Sequence, residues 1–164
     1  MKEKKEKQEE TTQIIVFKLG EEEFGVNILQ VREIEKLDQG ITRVPKAPHF
    51  VEGVINLRGE IIPIVDLRAR FGLTIPEIGL NSRVIIVEVG EALVGMLVDA
   101  VEEVLRIPVS AIEPAPAITK GVDSYFLAGV AKIGERLIVL LNLERTLSPE
   151  EEKELKEAEL GVEQ

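Results

Sequence analysis

The sequence predicts a mainly β protein, with two small β-barrels side by side and a C-terminal α-helix. Aromatic residues make up only 4% of a chain that is 45% hydrophobic, so Val, Ile and Leu must fill the core. Such β-branched richness favours strands. Short apolar runs also alternate with Gly-containing turns, and a segment of about 70 residues occurs twice. Small sheets avoid open edges best by closing into barrels.

The first copy opens with a predicted β-hairpin and continues through a third strand into a stiff proline linker. In a third extended segment, Val31 and Glu33 would lie on the same side. The predicted elements, in order, are a strand at 14–19, a turn at 20–23, a strand at 24–28, an extended segment at 29–37 and a linker at 44–48.

A second predicted hairpin spans residues 51–68, where two apolar runs flank Asn56-Leu-Arg-Gly59. Arg58 lies at its tip, beside a glycine that can adopt a positive φ. The corresponding tip of the second copy, Lys132-Ile-Gly-Glu135, lacks this arginine. The difference indicates a functional Arg58, although a structural hairpin with a solvated arginine is the alternative. Residues 66–71 are predicted to form one helical turn that Gly72 ends.

The second copy begins at Val84, which matches Ile14 at an offset of 70. At this offset Gly25 aligns with Gly95 and Glu33 aligns with Glu103. Further along, Gly53 aligns with Gly129 at an offset of 76. Apolar strands resemble one another by chance, but paired glycines and glutamates favour duplication. We expect a first barrel at about 14–80 and a second at about 81–147. This division allows some strand exchange and leaves an apolar groove between the barrels.

The two ends of the chain differ from this body. Residues 1–13 are predicted to form a flexible charged tail. Residues 148–164 are predicted to form an acidic helix and tail. Ser148 is suited to the N-cap, Pro149 to the first helical position, and Ser148 with Glu151 forms a capping box.

Charge and composition exclude several functions. The net charge of −10 comes without a basic stripe, which argues against nucleic-acid binding. The chain has no cysteine, no metal-ligand spacing and no Gly-x-Ser-x-Gly elbow, and we interpret its one histidine, His49, as a surface residue. No apolar run reaches the roughly 20 residues of a membrane helix, and no secretory signal is visible. We therefore predict a cytoplasmic, non-catalytic binding module without cofactor, metal or membrane insertion.

Three runs of the first copy resemble the CheW family of bacterial chemotaxis coupling proteins: Val31-Arg-Glu-Ile34, Val44-Pro-Lys-Ala-Pro48 and the stretch 53–67. In the second copy, Gly95 to Val101, Pro114 to Pro116 and Leu127 to Gly129 resemble it too. The resemblance covers residues 14–147.

This resemblance implies two five-stranded SH3-like barrels and a non-catalytic adaptor. The adaptor would bridge the regulatory domain of the histidine kinase CheA and the cytoplasmic tip of methyl-accepting receptors. The family positions tied to receptor coupling are Val31, Glu33, Gly53, Arg58 and Gly95, and we add Val94 because the predicted hairpin scheme places it near Arg58. The residues implied in kinase binding are Pro114, Pro116 and Ile118.

The sequence leaves two alternatives open. The same domain occurs in the kinase and in a coupling protein fused to a receiver, but only a polar tail precedes Ile14 here, which favours a stand-alone adaptor. We expect a monomer in isolation that is recruited to membrane receptor arrays. An alternative of another class is a small-molecule-binding barrel with its ligand in the inter-barrel groove.

Overall fold

The computed structural model describes residues 9–37, 40–45, 48–73, 78–119 and 121–146. This part of the chain is almost entirely strand. Its strands are β1 Thr11–Leu19, β2 Glu22–Asn27, β3 Val31–Lys36, β4 Val51–Leu57, β5 Glu60–Asp66, β6 Arg83–Val89, β7 Ala92–Val98, β8 Ala100–Pro108, β9 Ile112–Glu113, β10 Ile118–Thr119, β11 Val122–Asp123, β12 Leu127–Ile133 and β13 Arg136–Leu141. The helices are single turns, α1 Leu67–Arg70 and α2 Leu143–Thr146, with 3-10 turns at Ile28–Gln30, Val109–Ala111 and Ser124–Phe126.

The strands form two main sheets, which confirms the mainly β fold with two small SH3-like barrels. Barrel A is the sheet with the order β8-β1-β2-β13-β12-β9. Barrel B is the sheet with the order β3-β6-β7-β5-β4. A separate two-stranded ribbon pairs β10 with β11.

The two barrels exchange strands between the sequence copies. The first hairpin, β1–β2, lies in barrel A beside strands of the second copy, and its counterpart β6–β7 lies in barrel B beside strands of the first. The joins are equivalent, because β13 pairs with β2 and β5 pairs with β7 in the same parallel sense. The sheets therefore do not divide the chain at residues 80 and 81. Each barrel contains strands from both copies.

Each barrel closes where the chain turns from one sheet edge to the other. In barrel B, Thr42 and Val54 exchange backbone hydrogen bonds of 2.9 and 2.8 Å. In barrel A, β9 follows β8 through the turn at 109–111 and pairs with β12. A Cβ on Gly53 would lie 2.2 Å from the Thr42 carbonyl oxygen, and a Cβ on Gly129 would lie 2.8 Å from that of Glu113. Both closures therefore depend on a glycine.

The space between the barrels is a packed core and not the predicted apolar groove. Strand β1 shows the reason, since Ile14 and Val16 point into barrel A while Ile15 and Phe17 point toward barrel B. The largest cluster of buried side chains, here called the inter-barrel core, draws on both sheets. It includes Ile15, Phe17, Phe24, Val65, Leu67, Ile85, Val87, Met96, Val139 and Leu141.

Strand β1 begins at Thr11, three residues before the predicted start at Ile14, because residues 11–13 pair with β8. The predicted helical turn after Asp66 is confirmed as α1, with the Asp66 carboxylate accepting from the Arg68 backbone N–H. The predicted C-terminal helix at 148–164 lies outside the described residues, as does most of the predicted N-terminal tail.

Candidate protein-docking site

The tip of the β4–β5 hairpin is a two-residue turn that carries Arg58 in an uncommon backbone conformation. Leu57 pairs with Glu60, so Arg58 and Gly59 form the turn, with φ of 54° and 89°. Two positive φ values match the right-handed twist of a hairpin. Arg58 is the one non-glycine residue with positive φ in the described part of the chain. The Asn56 side-chain oxygen accepts from the Gly59 N–H at 2.9 Å and so stabilises the turn.

Arg58 is held by Glu33 on β3. Its Nη2 donates to both carboxylate oxygens of Glu33, with a distance of 2.6 Å to Oε2. This hydrogen bond is the main reason that the pKa of Glu33 lies below its usual value, while partial desolvation acts in the opposite direction. The side chain of Arg58 stays 71% exposed. The pair therefore presents an oriented cation to solvent.

A pocket lies beside this pair at one end of barrel B. Its volume is about 200 Å³. Apolar side chains line its inner part and charged ones its rim. These are Arg32, Glu33, Leu57, Arg58, Glu60, Ile62, Ile86 and Leu93. A second ion pair joins Arg32 to Glu88 nearby.

The other predicted receptor-binding residues lie deeper. Val31 is half-buried against the inter-barrel core, and Val94 is only 2% exposed within it. Gly53 is the closure glycine of barrel B. A Cβ on Gly95 would lie 2.5 Å from Ile64 Cδ1 and 2.6 Å from Val84 Cγ1. Among the six, Glu33 and Arg58 form the accessible pair, while Gly53, Val94 and Gly95 are buried.

The predicted kinase-binding residues lie just after β9 of barrel A, in the connection to the β10–β11 ribbon and at its start. Pro114 and Pro116 are exposed in the segment between β9 and β10. Ile118 begins β10, and its side chain lies outside the described part of the chain. The structure thus separates this segment from the Arg58–Glu33 pair, which lies on barrel B.

Sequence reasoning missed a second arginine site, on barrel A. The Arg136 guanidinium donates to Glu23 at 2.8 and 3.1 Å and to Glu103 at 2.8 Å. These two carboxylates raise the pKa of Arg136. The repeat could have revealed this site, because at the offset of 76 Arg136 corresponds to Glu60, so the two hairpins carry opposite charges at this position. A comparison of the two hairpin tips that ends at Glu135 stops one residue short of it.

Sequence reasoning also missed a buried ionic network. Arg68 is 2% exposed and binds Asp66 through Nε and Nη2 at 2.9 Å each, and Asp99 through Nη1 at 2.8 Å. Asp99 also accepts from the Gly20 backbone N–H at 2.7 Å. Since Asp99 joins β7 of barrel B to β8 of barrel A, this network links the two barrels.

The space between the barrels leaves little room for a ligand, and the described residues contain no cluster suited to a metal ion. The cavity between the barrels has a volume of about 10 Å³, about the minimum that admits one water molecule. The small-molecule alternative is therefore not favoured. No group of three metal-ligating side chains occurs in the described ranges, where His49 is exposed and packs edge-on against Phe50. No helix in these ranges is long and apolar enough to cross a membrane.

Comparison with known proteins gives one consistent result. A family model described as the CheW-like domain matches residues 13–151. The chemotaxis protein CheW of Klebsiella aerogenes is 40% identical over 139 residues, which cover 85% of this chain and 83% of that protein. The CheW of Rhizobium meliloti is 41% identical over 142 residues, covering 87% and 90% of the two chains.

A solved structure agrees with this result. The scaffolding protein TtCheW from Thermoanaerobacter tengcongensis matches with a TM-score of 0.80 and 42% identity, over 85% of this chain and 94% of that one. Sequence and fold therefore point to the same family over most of the chain. The chain belongs to the CheW family of chemotaxis scaffold proteins.

Proposed function

We propose that this protein is a non-catalytic adaptor that couples methyl-accepting receptors to the histidine kinase CheA through the kinase regulatory domain. The observation that carries the proposal is the Arg58–Glu33 pair. It holds an exposed arginine in a fixed orientation beside a pocket, in a member of a scaffold family. Arginine is enriched at the energetic centres of protein interfaces. An exposed, oriented ion pair contributes more to specificity than to stability.

The receptor arm of the adaptor is assigned to barrel B. Glu33 and Arg58 are its contact residues, and Val31 borders them from the inter-barrel core. Gly53, Val94 and Gly95 preserve its shape, since each is buried. Because a packed core fills the space between the barrels, the receptor's helical hairpin would lie against the surface of barrel B and not within a groove.

The kinase arm is assigned to the segment that follows β9 at the edge of barrel A and contains Pro114, Pro116 and Ile118. Its support is the exposure of both prolines and its separation from the Arg58–Glu33 pair. Proline has a restricted backbone, so such a segment loses little conformational entropy on binding. Two separate arms would allow receptor and kinase to bind at once. The adaptor is proposed to be a cytoplasmic monomer in isolation and to join membrane receptor arrays through both arms.

Calorimetric titration tests both arms. The partners are a receptor cytoplasmic fragment and the isolated CheA regulatory domain from the same organism. We expect Arg58→Glu to abolish receptor binding and leave kinase binding unchanged, and Pro116→Asp to weaken kinase binding alone. Arg43→Glu is the matched control, because Arg43 is also an exposed arginine of the barrel B region, 83% exposed, outside the pocket beside Arg58.

The outcomes separate the two assignments. Native circular dichroism of each variant shows whether a loss of binding reflects unfolding. Full receptor binding by folded Arg58→Glu would contradict the receptor arm. Failure of the unmodified protein to bind either partner would contradict the adaptor function itself.

A further inference from the structure

The two barrels carry different charged residues at their equivalent ends. In barrel A, the end called here its mouth is closed by the protein's own arginine, since Arg136 bridges Glu23 and Glu103. The repeat relates these positions to barrel B: Arg136 corresponds to Glu60, Glu23 to Leu93 and Glu103 to Glu33. The strand register supports the correspondence, because Ile133 pairs with Arg136 as Leu57 pairs with Glu60.

The mouth of barrel B is the pocket beside Arg58. Where barrel A has an arginine pointing inward, barrel B has a carboxylate, Glu60, on the same face of β5 as the buried Ile62. Where barrel A has the carboxylate of Glu23, barrel B has the apolar side chain of Leu93. The pocket of about 200 Å³ lies between them. It would hold several water molecules at roughly 30 Å³ each, or one long side chain in their place.

Some of the charged side chains around this pocket form ion pairs, and one does not. Arg58 pairs with Glu33, and Arg32 pairs with Glu88. Glu60 is near enough to raise the pKa of both arginines, although their largest influences are hydrogen bonds to Glu33 and Glu88. Among the described residues, Glu60 forms no ion pair. The pocket thus offers an apolar wall and one available carboxylate.

We propose that this pocket receives an arginine side chain of the bound receptor. The proposal deepens the proposed function, on which it rests. The aliphatic stem would lie against Leu57 and Leu93, and the guanidinium would meet Glu60, as Arg136 meets Glu23 and Glu103 in barrel A. Arginine suits this arrangement because its planar fork binds carboxylates in two places and is weakly hydrated.

A purely apolar side chain fits the pocket less well. It would shield the Glu60 carboxylate from water without giving it a partner, and burial of an unpaired charge is unfavourable. An acidic side chain would leave Glu60 without a partner and would compete with Glu33 and Glu88 for the guanidinium groups of Arg58 and Arg32. A basic side chain with a long apolar stem satisfies both parts of the lining.

Calorimetry with the full-length protein tests the proposal, with the receptor cytoplasmic fragment and the CheA regulatory domain as probes. We expect Glu60→Arg to weaken binding of the receptor fragment at least tenfold, and Glu60→Gln to weaken it severalfold, more at low salt than at high salt, while both variants bind the CheA regulatory domain normally. Glu91→Gln is the matched control, because Glu91 is an exposed glutamate in the turn between β6 and β7. It should bind like the unmodified protein.

The partner's arginine is identified by substituting its exposed arginines one at a time with alanine. One substitution should show strong coupling to Glu60→Gln in a double-mutant cycle, and reversal of that arginine to glutamate should restore binding to Glu60→Arg. Loss of binding in Leu93→Glu without loss in Glu60→Gln would assign the pocket to an apolar side chain and overturn the proposal. Normal binding by both folded Glu60 variants would overturn it while leaving the adaptor function intact. If the unmodified protein binds neither probe, both proposals fail.

Discussion

In barrel A an arginine bridges two carboxylates across the mouth, whereas in barrel B an arginine stands on a hairpin tip and reaches one carboxylate. Arg136 is 37% exposed and Arg58 is 71% exposed. Duplicated strands thus support two uses of the same ion-pair chemistry. The bridge in barrel A closes the protein's own structure, and the pair in barrel B leaves a cation and a pocket available for a partner.

The helical turns that follow the two hairpins also differ in how they use a charged residue. At the offset of 76, Arg68 corresponds to Glu144. Arg68 is buried between Asp66 and Asp99, while Glu144 is exposed and accepts from Gln30 at 3.2 Å. Of the two turns, the one that contains Arg68 therefore anchors the barrels through a buried ionic network.

The largest expected effect comes from breaking this anchor. Arg68→Met leaves Asp66 and Asp99 buried or half-buried without their cation, and removal of one partner of a buried ion pair costs about 3–5 kcal/mol. Urea denaturation measures the loss. Glu144→Met, at the equivalent exposed position, should change stability by less than about 0.5 kcal/mol. Equal effects of the two substitutions would contradict the asymmetry.

The closure glycines provide the next test. Gly53 and Gly129 have φ of 153° and 157°, which side chains rarely adopt. Gly53→Ala should be destabilising by about 1–3 kcal/mol, and more than Gly129→Ala, because the added Cβ meets a carbonyl oxygen at 2.2 Å and not at 2.8 Å. Thermal denaturation of both variants gives the order. A larger loss in Gly129→Ala would show that barrel A has the tighter closure.

Removing the arginine bridge at the mouth of barrel A should reduce stability by a smaller amount. Arg136→Met removes the bridge between Glu23 and Glu103 but keeps much of the apolar stem. Because the site is partly exposed, we expect the melting temperature to fall by about 2–4 °C, measured by calorimetry. The loss should diminish in high salt, which screens the two carboxylates. A salt-independent loss would indicate that packing, and not charge, is responsible.

The smallest effect concerns the pH dependence of Glu33. Its pKa is lowered in the folded protein, mainly by the hydrogen bond from Arg58. The stabilisation is therefore present above the ordinary glutamate pKa of about 4.3, and is lost as the pH falls through the lower folded value. An NMR titration of the Glu33 carboxyl group should show the lowered pKa in the unmodified protein and a return toward the ordinary value in Arg58→Gln. An unchanged pKa in this variant would contradict the role of Arg58.

Much of the fold could be predicted from local pattern. The paired glycines that indicated a repeat prove equivalent in space, since Gly25 packs against Ile14 and Leu140, and Gly95 against their counterparts Val84 and Ile64. The hairpin at 51–68 and the helical turn after Asp66 were also predicted correctly. These features depend on neighbours in sequence or on recurrent residue types, so a single chain displays them.

The strands with which each hairpin pairs could not be predicted from local sequence pattern. The hairpins β1–β2 and β6–β7 have the same apolar pattern, so nothing in either favours pairing within its own copy or with the other. The burial of Arg68 could not be predicted from local sequence either. Charged residues are seldom fully buried unless they are paired. Asp99, one of its two partners, is 31 residues away in sequence.

The sequence by itself determined the strands, the duplicated unit and the Arg58 hairpin tip, because alternation, turn residues and repeated spacing are local properties. The tertiary structure alone decided which copy supplies each barrel's hairpin, which space becomes a packed core and which arginine faces solvent. These outcomes depend on contacts between distant residues. Burial and ion pairing are determined by such contacts, and the residue types alone do not specify them.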